Sequence, residues 1–196
     1  KYTIVEPNPT CQTDGKLSVI NAFFNNEYAQ RCSENYDTCI HSHTLEHAYD
    51  PNSFIEGLST SMKIGGFQVL SIPNLKRYLE KKFTNTLNFE HTYFLTEELL
   101  VPLMSRFGFV LVEKSEFLDH SLFFAFVKKE NNKDIKIPNE YLENKSLFLE
   151  YLSFQKEQVD KLNEVISETS KEIFLFGGHI FSQFLVNFGL NTARLK

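Results

Sequence analysis

Short apolar runs alternate with segments of helical periodicity up to about residue 128, and this alternation constrains the fold more than any other feature. Runs such as "YTIVE" (2–6), "KLSVINAFF" (16–24) and "FQVLSIP" (67–73) are mainly apolar and rich in β-branched and aromatic residues. Continuous runs of this kind are typical of strands that are buried on both faces. The pattern therefore predicts an α/β fold with a mostly parallel sheet covered by helices.

Two of the predicted helices have capping residues that indicate where they begin and end. Asp50 and Pro51 are a typical N-cap and first helical residue, and the glycine pair at 65–66 indicates where that helix ends. The second helix begins after Thr96 and closes at Gly108. Two apolar runs then follow in close succession, which predicts an antiparallel strand at one edge of the sheet.

The rest of the chain predicts two further regions. Residues 129–139 form a charged linker, a long helix covers about 139–168, and 173–190 has the order strand, glycine turn, helix. We therefore divide the chain into a first domain (1–128), a linker with the long helix (129–170) and the beginning of a second α/β domain (171–196).

Composition excludes several classes of partner. The net charge is −5 without a sustained basic run, which argues against nucleic acid. No stretch of about 18 apolar residues exists, so no membrane span is expected. The three cysteines, none in a C-x-x-C pair, suggest free thiols in a reducing cytoplasm. The oligomeric state stays open.

Three segments resemble one enzyme family. They are "YDTCIHSHTLEHAYDPNSFIEGLSTSMKIGGFQVLSIPN" (36–74), "FEHTYFLTEEL" (89–99) and "DHSLFFAF" (119–126). In this order, after a strand that ends in Glu6, they resemble a class I S-adenosylmethionine-dependent methyltransferase. "FEHTYF" and "DHSLF" are similar to the sugar C-methyltransferase type. The resemblance implies a Rossmann-like sheet followed by a linker helix and a second α/β domain.

The sequence departs from that family at its start. The glycine-rich loop that follows the family's first strand is absent, as is its amino-terminal zinc-binding segment with paired cysteines. The chain therefore resembles a piece that begins at the family's second strand, and zinc is expected only if a cysteine-rich segment lies upstream. The family's first strand sits between the second and the fourth, so two strand edges are expected to lack partners.

Glu6 is the first candidate for binding the cofactor. An acid at the end of a strand in an α/β sheet lies where ligands gather, and it can accept hydrogen bonds from both hydroxyls of a ribose. The resemblance implies the same role for Glu6 toward S-adenosylmethionine. It also implies that Asn21, Ala22 and Phe23 flank the adenine, and that His43 and Thr44 lie beside the methionine part of the cofactor.

The resemblance also implies the catalytic residues. Methyl transfer to carbon needs a base that removes a proton, and His91 with Glu90 follows the fifth family strand, on the acceptor side of the sheet. His120 and Ser121 are implied to contact the substrate. The expected reaction is methylation at carbon of a small molecule, a nucleotide-linked sugar. Oxygen methylation of a surface-polysaccharide sugar is the close alternative.

A different class of enzyme also fits part of the sequence. His41, His43 and His47 are close to the H-x-H-x-D-H pattern of binuclear zinc hydrolases, although the acid stands one position late. A zinc metallohydrolase is therefore a third hypothesis, and a non-catalytic binding fragment is a fourth. The "LEH" and "DP" that continue the segment fit the methyltransferase and have no role in a zinc site.

Overall fold

The computed structural model describes residues 2–32, 35–131, 135–178 and 180–196. Residues 132–134 of the predicted linker and His179 of the predicted glycine turn lie outside them. The strands are β1 (Tyr2–Glu6), β2 (Leu17–Asn21), β3 (Tyr36–Ser42), β4 (Met62–Pro73), β5 (Phe109–Phe117) and β6 (Ser121–Lys128). The α-helices are α1 (Asn26–Arg31), α2 (Pro51–Ser61), α3 (Leu75–Glu80), α4 (Glu97–Arg106), α5 (Tyr141–Glu168) and α6 (Ile180–Asn187).

The chain forms two compact units. Residues 1–73 and 92–138 make up the first unit, and residues 74–91 with 139–196 make up the second. All six strands belong to the first unit, whereas α3, α5 and α6 belong to the second. The segment 74–91, which contains α3, thus leaves the first unit between β4 and α4.

A four-stranded sheet forms the centre of the first unit, in the order β3-β4-β6-β5. β3 and β4 are parallel, and β6 is antiparallel to both β4 and β5. The mixed α/β fold class is thereby confirmed. The antiparallel strand lies one place in from the edge, not at the edge. The connection through α4 carries β5 past β4 and leaves a gap, which β6 fills on returning from the β5–β6 hairpin.

β1 and β2 form a separate parallel pair, and β3 is an outer strand of the four-stranded sheet. The expectation of strand edges without partners agrees with this arrangement. Apolar side chains remain uncovered on these strands: Ile40 of β3 is 75% exposed and Tyr2 of β1 is 73% exposed. In a sheet buried on both faces, such positions would be covered by a neighbouring strand and its helices.

The helix that begins at Pro51 is shorter than predicted. Asp50 is its N-cap, as expected, and accepts a hydrogen bond from the backbone N–H of Ser53 at 3.0 Å. The helix ends at Ser61, and β4 already includes the glycine pair at 65–66. Gly66 is packed so closely that a Cβ would lie 2.9 Å from the carbonyl oxygen of Asp37. Gly66 therefore permits close strand contact, Gly65 adopts a φ of 84°, and neither glycine ends the helix.

A second close contact joins α1 and α2. A Cβ on Gly57 would lie 2.8 Å from the carbonyl carbon and oxygen of Asn25, the residue that caps α1. The absence of a side chain at position 57 is what lets the two helices approach. α1 itself was not predicted, because its sequence "NEYAQR" is polar except for a buried Ala29.

The core of the first unit lies between the four-stranded sheet and its helices. Apolar side chains of α2, α4, β4 and β6 meet there, and the largest fully buried ones are phenylalanines and leucines. The core side chains of this unit with no more than 1% exposure are Leu45, Ile55, Leu70, Ile72, Leu100, Met104, Phe109, Phe124 and Phe126.

The second unit is built around α5. Its core joins α3, α5 and α6, with Leu79, Tyr151 and Val159 almost fully buried. Ile173 and Leu195, one before and one after α6, form an isolated parallel bridge. Among the described residues, no helix has both the length and the apolar character needed to cross a membrane.

Candidate functional site

Polar side chains gather at one edge of the four-stranded sheet. β3 ends at Ser42, the adjacent end of β4 contains Ser71, and β6, which runs the opposite way, begins there with Ser121. The hydroxyls of Ser42 and Ser71 are 2.7 Å apart. The carboxyl ends of parallel strands are where α/β proteins bind ligands, so this edge is the candidate site.

His43 projects from this edge in an unusual backbone conformation. Its φ is 48°, in the left-handed region that side-chain-bearing residues rarely adopt. The backbone N–H of His43 donates to the carbonyl of Ser71 at 3.0 Å, which fixes the turn after β3. Non-glycine residues held in this region are concentrated at functional sites.

The β5–β6 hairpin brings His120 and Ser121 to the same place. Its loop includes Leu118 at φ 52°. The hydroxyl of Ser121 lies 2.8 Å from Nε2 of His43 and 2.5 Å from Nδ1 of His120. The two imidazole rings are 5.3 Å apart between centroids. His43, His120 and Ser121, predicted separately from the sequence, therefore form one cluster.

Glu46 completes the cluster, and the sequence analysis did not assign it this role. It lies in a 3-10 helix (Leu45–His47), is 1% exposed, and places Oε1 3.2 Å from Nδ1 of His43. That distance allows an ion pair, but the contact lacks the geometry of a hydrogen bond. The i, i+3 spacing of His43 and Glu46 was the available sequence signal.

Burial sets the ionisation of the pair. Burial lowers the pKa of His43, and the nearby His120 and His47 lower it further. Burial raises the pKa of Glu46. Both shifts favour the uncharged forms, as expected for a carboxyl and an imidazole withdrawn from water. An uncharged His43 can accept a proton, and a carboxylate with a raised pKa is a better final acceptor than an exposed one.

The proposed cofactor residues of β1 and β2 lie side by side. Glu6 and Asn21 are paired in the register of the two strands, at their carboxyl ends. Glu6 is exposed, and its Oε1 accepts from the backbone N–H of Asn8 at 3.4 Å. Ala22 is half-buried and the Phe23 ring is exposed, whereas Phe24 packs edge-on against Phe54.

Thr44, also expected to lie near the cofactor, follows His43 and is exposed. Its hydroxyl donates to the carbonyl of Ser42 at 3.1 Å. The side chain thus closes the turn at the end of β3, which is a local structural role that the sequence analysis did not anticipate. The proposed contact with the cofactor stays a prediction.

Glu90 and His91 lie in the second unit. The side-chain oxygen of Asn88 accepts a hydrogen bond from the backbone N–H of Glu90 at 3.1 Å. The backbone carbonyl of Asn88 accepts one from the backbone N–H of His91, also at 3.1 Å. Glu90 is exposed and His91 half-buried. This turn fixes the backbone of both residues, and their catalytic role stays a prediction.

The three histidines of the zinc hypothesis do not form one ligand set. Both ring nitrogens of His41 are buried and lack a hydrogen-bond partner in the described part of the chain, and its ring packs edge-on against Phe54 at 5.2 Å. His43 is engaged with Ser121 and Glu46. Within the described ranges, no group of three metal-binding side chains includes His41 or His43.

Solved structures with a similar fold are methyltransferases. The N-methyltransferase NodS from Bradyrhizobium japonicum WM9 in complex with S-adenosyl-L-homocysteine matches at a TM-score of 0.49 and 14% identity, over 65% of this chain and 66% of that chain. A possible histamine N-methyltransferase from Thermotoga maritima matches at 0.44 and 16% identity, over 58% and 64%. Magnesium protoporphyrin IX methyltransferase from Synechocystis PCC 6803 matches at 0.43 and 16% identity, over 58% and 52%.

The chain spans less than two thirds of the length of each of these three proteins, since 66%, 64% and 52% of them is covered. No protein-family model and no curated protein matches the sequence.

The residues present suit part of S-adenosylmethionine. The exposed carboxylate of Glu6 can accept from two ribose hydroxyls, Asn21 lies beside it, and the exposed ring of Phe23 offers a flat apolar face for adenine. The glycine-rich loop that would let the backbone approach the cofactor is not in the sequence. The described residues therefore fit the nucleoside half of the cofactor.

Proposed function

We propose that this chain is part of an S-adenosylmethionine-dependent methyltransferase of class I. One observation carries the proposal: an exposed acid, Glu6, ends one strand of a parallel pair beside a sheet ordered β3-β4-β6-β5 with a single reversed strand. A Rossmann-like sheet and an acid at the end of a strand are what the sequence resemblance implies. Glu6 and the strand edge that carries His43 belong to the same unit, which supports the proposal.

The chemistry is displacement at a sulfonium methyl. When bound, S-adenosylmethionine supplies the activated methyl group. The protein then has to align the acceptor with it, exclude water and accept the proton that the acceptor loses. Glu6, Asn21, Ala22 and Phe23 would hold the nucleoside, His43 and Thr44 would face the methionine side, and His120 with Ser121 would contact the acceptor.

The acceptor we favour is carbon in a nucleotide-linked sugar, because "FEHTYF" and "DHSLF" are similar to the sugar C-methyltransferase type. His91 would then act as the base, with Glu90 orienting it. An oxygen acceptor in a surface-polysaccharide sugar is the alternative and needs no carbon base. A cytoplasmic location fits the free thiols of the three cysteines and a nucleotide-linked substrate.

Binding of S-adenosyl-L-homocysteine by the full-length protein tests this proposal. Glu6→Ala should raise the dissociation constant in calorimetry by about ten- to 150-fold, equivalent to about 1.5–3 kcal/mol for hydrogen bonds to a charged group. Glu56→Ala is the matched control, since Glu56 is an exposed acid on α2 in the same unit. Unchanged affinity in Glu6→Ala would remove Glu6 from the site, and no binding by the unaltered protein would refute the function.

A further inference from the structure

A continuous chain of polar groups links an exposed imidazole to a buried carboxyl in the first unit. His120 is exposed, Ser121 is 3% exposed and Glu46 is 1% exposed, with His43 between the serine and the acid. The successive contacts are 2.5 Å, 2.8 Å and 3.2 Å.

We propose that His120, Ser121, His43 and Glu46 form a proton relay that carries the acceptor's proton from the strand edge to the buried carboxylate. This assignment rests on the proposed methyltransferase function.

Each step of the relay exchanges one proton. Nε2 of His120 takes the acceptor's proton while Nδ1 of His120 gives its own to the Ser121 hydroxyl. That hydroxyl gives its proton to Nε2 of His43, and Nδ1 of His43 gives its proton to Oε1 of Glu46. The acceptor thus loses one proton and the Glu46 carboxylate gains one. The proton released on methyl transfer therefore stays within the protein.

The surroundings of His43 suit this role. The titratable groups that face it are Glu46 and His47 of the 3-10 helix and His120 of the β5–β6 hairpin. Burial and the two histidines lower the pKa of His43, so its ring is neutral and able to accept at neutral pH. While its carboxyl is ionised, Glu46 binds a proton more readily than an exposed acid does, because burial raises its pKa. The 3.2 Å distance between Nδ1 of His43 and Oε1 of Glu46 is compatible with proton transfer, because contacts of this kind commonly shorten when substrate binds.

A serine, a histidine and an acid in sequence also resemble the catalytic triad of hydrolases. In that mechanism the serine oxygen must attack a substrate carbon directly. Here the Ser121 hydroxyl is buried and lies between two imidazoles. Its position suits the transfer of protons between them and does not suit nucleophilic attack.

The first test needs no methyl donor and no acceptor. NMR titration of the histidine rings in the full-length protein should show that Ser121→Ala changes the pKa of His43, because the Ser121 hydroxyl is hydrogen-bonded to Nε2 of that ring. Ser61→Ala is the matched control, since Ser61 is 2% exposed and its hydroxyl has no partner in the described residues. Unchanged titration of His43 in Ser121→Ala would overturn the relay.

The second test separates the relay from the proposed function. With nucleotide-linked sugars as acceptors, Ser121→Ala and Glu46→Gln should each lower turnover by about 10²-fold or more. Both variants should bind S-adenosyl-L-homocysteine like the unaltered protein. Full turnover in both variants would overturn the relay and leave the methyltransferase in place. Failure of the unaltered protein to bind S-adenosyl-L-homocysteine would refute the function, and the histidine titration would still decide whether the four groups are coupled.

Discussion

At the scale of single residues, His41 imposes a pH limit on the stability of the first unit. Burial lowers the pKa of His41 to about 4, because both ring nitrogens are shut away from water without a partner in the described residues. The folded state therefore resists protonation of this ring, whereas the unfolded chain takes up the proton near pH 6.5. Above that pH the ring is neutral in both states, so its titration does not change stability. As the pH falls from 6.5 toward 4, stability is lost.

Replacing His41 by phenylalanine should remove this dependence. Between pH 7.5 and pH 5, the unaltered protein should lose about 2 kcal/mol of unfolding free energy through His41, and His41→Phe should not lose that part. The phenyl ring retains the edge-on contact with Phe54. Urea unfolding of both proteins at the two pH values measures the difference. Other groups, including Glu46, are common to both, so equal pH dependence would contradict the assignment.

The sequence located the residues of the strand edge better than it described their contacts. His43 could be placed because "YDTCIHS" ends a strand, and His120 and Ser121 because they precede the next one. Their mutual contacts depend on the hairpin and on the left-handed turn at His43. Neither produces a local sequence pattern. Glu46 was missed as a partner because an acid among three histidines resembles a metal ligand.

At the scale of secondary structure elements, α5 shows where hydrophobic periodicity fails. The leucines of this helix suggest an apolar side, yet Leu142 is 78% exposed and Leu149 is 55% exposed. The buried positions include Tyr151 and Gln155, which donate to the carbonyls of Phe83 and Lys82 at 3.1 and 2.7 Å. The helix therefore packs through two polar groups that satisfy the turn after α3, as well as through the apolar Val159 and Ile166. A hydropathy pattern cannot show this.

Hydrophobicity alone suggests that replacing a leucine of α5 costs more stability than replacing a glutamine, and we expect the opposite for Leu142 and Gln155. Gln155→Ala should cost about 1–3 kcal/mol of unfolding free energy, because it leaves the buried Lys82 carbonyl without its donor. Leu142→Ala should change stability by no more than about 0.5 kcal/mol, as expected for an exposed side chain. Urea unfolding followed by circular dichroism gives both values. A larger loss in Leu142→Ala than in Gln155→Ala would show that the other side of α5 is the packed one.

The boundary between α2 and β4 shows a second limit of local patterns. Met62 continues the helical spacing of Phe54 and Leu58, but it is buried as the first residue of a strand. The glycines at 65–66 then resemble a helix end. Strand pairing with β3 overrides that preference, since Tyr36 pairs with Met62 and Thr38 with Phe67. Tertiary contacts of this kind decide short ambiguous segments.

At the scale of the whole molecule, the number of strands was more predictable than their order. The apolar runs and their spacing gave all six strands, but the reversed strand β6 lies inside the four-stranded sheet, where an antiparallel edge strand was expected. β1–β2 and the four-stranded sheet remain separate in the described residues. No glycine-rich loop precedes β1 in this sequence.

Residues 1–196 alone should therefore bind S-adenosyl-L-homocysteine poorly. The loop at the first strand of such folds brings backbone N–H groups to the cofactor, and nothing in this chain replaces it. Calorimetry should detect no micromolar binding by this segment. The same segment extended by an upstream strand and glycine-rich loop is the control and should bind. Micromolar affinity of residues 1–196 would show that the sequence alignment at Lys1 is wrong.

The close contact at Gly57 has a consequence for how this sequence can change over generations. Every other amino acid would bring a carbon to within 2.8 Å of the Asn25 carbonyl group. Backbone at that distance cannot give way as a flexible side chain can. Substitutions at the outward positions of α1 and α2 can therefore accumulate freely. A substitution of Gly57, in contrast, requires that one of the two helices shifts as well. Position 57 should be among the last in the first unit to vary between descendants, although it performs no chemistry.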